Sequence, residues 1–282
     1  MASLAQQAVA QMHQTQEFVG YPIENLLNCD NKPENTNTAF FTYGRFQPGH
    51  IGHKIMIDKL LEIASVHNAT TETQITPENT NVYVFVSPSG SPNEKKSQKN
   101  PLTPDEKVHL LQQQYAGYPI HFVNMGQPGL ENRSAFGALS LLRKTEDGGG
   151  CYDQTVMVRG KEEGVELAKT LLKYGLTDTV PVERPEGALS ATELRAAAVE
   201  NNTDKFNEGI MFGTVTPELA NYIKTTIRSK YGLKGGKSRR RKTRRRKTRR
   251  KTKRKTKRRK TKTKRKRKKR TLRKYTIRRR KK

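Results

Sequence analysis

Little in this 282-residue chain could cross a membrane, hold a metal or staple a fold. No apolar run approaches the ~20 residues that a bilayer-spanning helix needs. The opening "MASLAQQAVAQMHQTQEF" is too polar for a secretory signal. There are only two cysteines, Cys29 and Cys151, and neither has a Cys or His neighbour at metal spacing. Two thiols do not make a disulfide framework, so the expectation is a reduced, intracellular protein with no membrane partner. No acidic pair stands out as a dedicated metal site. Acidic residues are missing altogether from Lys237 onward, where 34 of 46 positions are Lys or Arg. Of the chain's 56 basic residues, 22 remain in front of that stretch, against all 26 acidic ones, a net of −4. The formal charge of +30 therefore describes a cationic tail behind a mildly acidic body.

Residues 1–37 read as an N-terminal extension, a Gln-rich helix over about 3–16 followed by the turn-rich "NCDNKPENTNT". Regular patterning starts at Thr38. Apolar, β-branched and aromatic runs ("TAFFTYGRF", "NVYVFVS", "IHFVNM", "QTVMVRG", "DTVPVE") predict strands. Between and after them, "GHKIMIDKLLEIASV", "TPDEKVHLLQQQY", "ENRSAFGALSLLRK", "EEGVELAKTLLKYG" and "SATELRAAAVENN" predict helices. Such alternation implies an α/β fold, a parallel sheet covered by helices on both faces. The helix "TPELANYIKTTIRSKYG" closes the domain, placed at 38–232. Residues 233–282 are low-complexity, and charge this dense cannot bury a core, so the tail should be disordered.

"GRFQPGHIGH" sits where the first strand hands over to a helix. In a parallel sheet, ligands collect at the C-terminal ends of strands, where helix N-termini present free N–H groups. Gly44, Pro48, Gly49 and Gly52 lie on that loop, and its glycines would let a phosphate approach the backbone. His50 and His53 can project into the same space and donate to oxygens whose charge grows in a transition state. The plain alternative is a turn cap at His50 and a surface residue at His53. The spacing is not that of a zinc helix, so no metal ligands are assigned.

This stretch resembles the His-x-Gly-His signature of the nucleotidylyltransferase superfamily. Its Gly-Arg-Phe-Gln-Pro lead is similar to archaeal-type nicotinamide mononucleotide adenylyltransferases. A second stretch, "LSATELR" (189–195), resembles the superfamily's late Ile-Ser-Ser-Thr-x-x-Arg motif, with Ala191 in place of its second serine. Ser190 and Glu193 there also read as a helix capping box, which leaves Thr192 and Arg195 unexplained. The resemblance covers roughly residues 38–205. It implies a Rossmann-like fold and transfer of AMP or CMP from ATP or CTP to a small phosphorylated acceptor, with pyrophosphate released. His50 and His53 would contact the transferred phosphate. Gly44, Phe46, Gly52, Ser190, Thr192 and Arg195 would line the nucleotide site, and Gly160 would lie under the base. Arg45 reaches a triphosphate or packs the turn; Lys161 lies near the base or pairs with an acid. Lys95, Lys96 and Lys99 lie in a loop similar to a segment of phage cytidylyltransferase-like proteins and could hold the acceptor. Mg²⁺ is implied, held mainly by the nucleotide.

Two rivals remain. Class I aminoacyl-tRNA synthetases share the His-Ile-Gly-His string, but no Lys-Met-Ser-Lys-Ser-like loop or anticodon domain is found. In the other, the tail is the function, binding nucleic acid or another polyanion through residues 237–282, and the domain is vestigial. The tail also reads as a nuclear or nucleolar address, and resembles tails on proteins of large DNA viruses.

Overall fold

The run Thr38–Gly44 becomes β1, the middle strand of a five-stranded sheet. Its companions are β2 (Val82–Val86), β3 (His121–Asn124), β4 (Gln154–Gly160) and β5 (Asp178–Val182). The order is β3-β2-β1-β4-β5 and every pairing is parallel. The computed structural model describes residues 20–89, 100–146, 149–162, 164–212 and 214–233. The helix expected over 3–16, Lys95, Lys96, Lys99 and the tail beyond 233 lie outside the described residues.

Parallel neighbours need crossovers, and the helices supply them. After a short α1 (Ile23–Leu27), α2 (Ile51–Thr70) links β1 to β2 and α3 (Pro104–Gln114) links β2 to β3. Next, α4 (Ala135–Leu142) leads to β4 and α5 (Val165–Lys173) to β5. Every residue of β2 is buried, as a strand covered on both faces requires. Alternate residues of β1 face opposite layers. Phe41 packs with Leu26, Ala138, Leu142 and Leu171, whereas Phe40 packs with Ile57, Leu60, Val108 and Leu111. The expected α/β sheet with helices on both faces is therefore found.

Three helices follow β5: α6 (Ala191–Glu200), α7 (Thr203–Ile210) and α8 (Pro217–Lys230). Leu194, Phe206, Ile223 and Ile227 form a further core with Leu102 and Leu110. Neither α1 nor α7 was predicted. In α7, only Phe206, Gly209 and Ile210 are buried, too few to set up a visible period. It is tertiary packing that keeps it: a Cβ at Gly209 would lie 2.7 Å from Leu194 Cδ2.

The cysteine expectation is corrected. Cys29 and Cys151 are joined by a disulfide across 122 residues of sequence, with Cα atoms 5.2 Å apart. Their sequence separation hides the pairing. It arises because residues 20–37 pack against the sheet. Ile23 and Leu26 enter the core beside Cys151 and Tyr152, and Tyr21 N–H donates to Phe122 O of β3 (2.8 Å). Tyr21 also stacks on the buried His121, with centroids 3.6 Å apart. No helix among the described residues is long and apolar enough to cross a membrane.

The cross-link yields a prediction. Denatured without reductant, the protein should show no alkylatable thiol at Cys29 or Cys151. Reduction should lower the melting temperature by roughly 5–10 °C, the scale of about 2–4 kcal/mol in a domain of this size. Free thiols before reduction, read by mass after alkylation, would disprove the link.

Candidate active site

Beyond Gly44 the chain doubles back on itself. Phe46 takes φ +46°, unusual for a bulky residue, and its buried ring lies where a Cβ on Gly44 would be 2.9 Å away. Only glycine leaves room for that ring. Phe46 in turn packs on His53 (centroids 4.6 Å). The ring thus supports the histidine from inside the core.

His50 is the N-cap of α2. Its Nδ1 accepts from Gly52 N–H (3.0 Å), and His53 Nδ1 accepts from His50 N–H (3.3 Å). The two rings lie 3.9 Å apart. The capping alternative is therefore real for His50, and it does not exclude chemistry. A neutral imidazole whose Nδ1 accepts must carry its proton on Nε2. Both histidines are so held, as Nε2–H donors. Gly52 leaves space for this, since a Cβ there would lie 3.0 Å from the His50 ring and 3.8 Å from Arg184 Nε.

Burial, with Arg184 and Arg195 nearby, pushes the His50 pKa down to about 4. Burial, then His50, Arg184 and Arg45, hold His53 well below the ordinary imidazole value. At neutral pH both are uncharged donors. Arg195, on α6, donates from Nη1 to Gln47 O (2.6 Å) and from Nη2 to Thr192 Oγ1 (3.0 Å), and also bonds Tyr231. Burial and Arg45 lower its pKa, but a guanidinium stays protonated. Arg184, on the loop after β5, donates to Ala188 O (2.6 Å). All four ion pairs among the described residues are made by lysines. Glu193 lies within electrostatic reach of Arg184, yet it is committed to the α6 cap, accepting from Ser190 N–H and Oγ–H (both 2.7 Å). Among the described residues, no arginine of this corner makes an ion pair, and cationic side chains outnumber the one nearby carboxylate.

The structure thus brings Arg45, His50, Gly52, His53, Thr192 and Arg195 together. Ser190 caps α6, receiving Glu193 N–H at 3.2 Å, so its hydroxyl is used locally. Gly160 ends β4 at the same sheet edge, where its carbonyl and that of Lys161 receive Arg159 Nη1 (3.1 Å each). Lys161 pairs with Glu183. Sequence reasoning missed Arg184, Gln47 and Tyr231. Only Arg184 left a signal, a cation two residues past the end of a strand, on the edge where ligands collect.

No family model matches the chain, and no curated protein matches it. Among solved structures it is similar to one from Vibrio parahaemolyticus described as a nicotinate-nucleotide adenylyltransferase. The identity is 13% and the TM-score 0.41, over 67% of this chain and 99% of that one. So low a likeness says nothing about this chain's chemistry. What fold and site themselves define is a Rossmann-like α/β protein with a cationic corner beside β1 and β4, where the strand order reverses.

The depressed imidazoles make stability pH-dependent. The unfolded chain takes up protons as pH falls through about 6.5, while folded His50 resists down to about 4. The melting temperature should hold between pH 8 and 7 and fall between roughly 6.5 and 4. His50→Asn, which retains a capping acceptor, should make that fall shallower; an unchanged slope in a pH series of melts would contradict the assignment.

Proposed function

We propose that this chain is a nucleotidylyltransferase, moving AMP or CMP from ATP or CTP to a small phosphorylated acceptor. One observation carries the reading: two neutral Nε2–H donors and three guanidiniums, without ion pairs among the described residues, converge where α2 and α6 begin. An oxygen of the acceptor phosphate attacks the α-phosphorus, the bond to the β-phosphate bridging oxygen breaks, and pyrophosphate leaves with that oxygen. No covalent enzyme intermediate is needed. His50 and His53 donate to the α-phosphate oxygens, on which charge builds. Arg45, Arg184 and Arg195 take the β- and γ-phosphates, and the N-termini of α2 and α6 add their partial charge. Gly160, at the end of β4, is assigned to the base, and Lys95, Lys96 and Lys99 are candidates for the acceptor phosphate.

Among the described residues, no group of three or more His, Cys, Asp or Glu could hold a metal. The site's own charge is positive. Mg²⁺ is assigned to the nucleotide, carried by its phosphates, as suits an ion that keeps most of its waters. The chain's residues bind, align and stabilise charge.

A screen of NTPs against phosphorylated acceptors, reading pyrophosphate release, tests the reading. Within the productive pair, His53→Ala should keep the fold and lower turnover about 10²–10³-fold, the usual loss of one preorganised donor. Undiminished turnover in a folded variant would remove His53 from the chemistry.

The tail is given a separate task. Its 34 positive charges without aromatic interleaving suit phosphate backbones, bound without reading sequence. Truncation after Gly236 should leave small-substrate turnover within about twofold, while steeply salt-dependent retention on DNA or RNA is lost. Loss of turnover on truncation, or retention that persists, would overturn this division.

A further inference from the structure

We propose that Gln47 is a positioning residue for the anion site, acting through Arg195. The inference rests on the nucleotidylyltransferase reading and deepens it. Gln47 is 3% exposed. Its Nε2 donates to Ser89 O (3.0 Å) and Leu102 O (2.7 Å), and its Oε1 accepts from Leu102 N–H (3.0 Å). The partners settle which way the amide points, because carbonyls only accept and an amide N–H only donates. Both N–H groups are used and the residue is buried, so its side chain has no donor to offer a substrate. What it does present is its backbone carbonyl, which receives Arg195 Nη1 at 2.6 Å.

That carbonyl is held from behind. Ser89 O, which receives Gln47 Nε2, also receives Lys107 Nζ (2.8 Å), and Lys107 reaches Ser87 O (2.6 Å) as well. Lys107 is 1% exposed on α3. A hydrogen-bonded chain therefore runs from α3 through the end of β2 and the histidine turn to α6. Its chemistry suits an anion site. A carboxylate at the Gln47 carbonyl would orient Arg195 but neutralise it, whereas a carbonyl occupies one of five N–H donors and leaves the charge for the ligand. Orientation is obtained without cancelling charge.

The test is a double-mutant cycle on the full chain: wild type, Gln47→Ala, Arg195→Ala and the double variant. Binding of inorganic tripolyphosphate is measured by calorimetry at about 300 mM KCl, where attraction to the tail is screened. Any residual tail contribution is common to all four proteins. Gln47→Ala should weaken binding about tenfold in the wild-type background and less than twofold once Arg195 is gone. Melting temperatures are recorded for each, and Gln47→Met, which preserves buried volume, carries the cycle if the alanine variant does not fold. An unchanged affinity, or an equal loss in both backgrounds, overturns the role given to Gln47 while leaving the nucleotide reading intact. A wild type that binds tripolyphosphate no better than Arg195→Ala overturns that reading, and this inference with it.

Discussion

The reciprocal cap of His50 and His53 at the start of α2 is the interaction from which the site is built. It satisfies two N–H groups that a helix start leaves open. The same bonds place both rings side by side and commit each Nδ1 as an acceptor, so the proton must sit on Nε2. One local device thereby sets helix start, ring position and tautomer. Burial and nearby guanidiniums then keep the rings uncharged.

Gathering Arg45, Arg184 and Arg195 in one corner runs against folding, since like charges repel. The opposing terms lie elsewhere in the domain. Two apolar layers sandwich the sheet, and a third core binds α6, α7 and α8 to Leu102 and Leu110. Arg195 is partly buried, and its N–H groups are met by Gln47, Thr192 and Tyr231 rather than by a carboxylate. Neutral partners hold the group in place and preserve its charge.

Much of this was legible in local sequence. The strands and the crossover helices follow from period and breakers. The Thr103–Glu106 and Ser190–Glu193 capping boxes form where their spacing says they should. Phe46 illustrates the limit: its side chain is a buried support for His53, a role that depends on a positive φ no pattern announces. Arg184 lies in a polar loop, where nothing in the local pattern separates it from a solvated surface arginine. The role of Gln47 is hidden in the same way, since its partners Ser89, Leu102 and Arg195 are far along the chain.

The sequence alone determined the α/β class, the histidine pair at a strand-to-helix junction, and the separation of an acidic body from a basic tail. Each rests on residues within a few positions of one another, where periodicity, capping and charge density act directly. The tertiary structure alone decided that Cys29 meets Cys151, that Arg184 joins the histidines, and that Gln47 anchors Arg195. Those meetings depend on the order in which five parallel strands lie side by side. Each crossover carries the chain over the sheet and returns it to the same edge, so residues far apart in sequence become neighbours there.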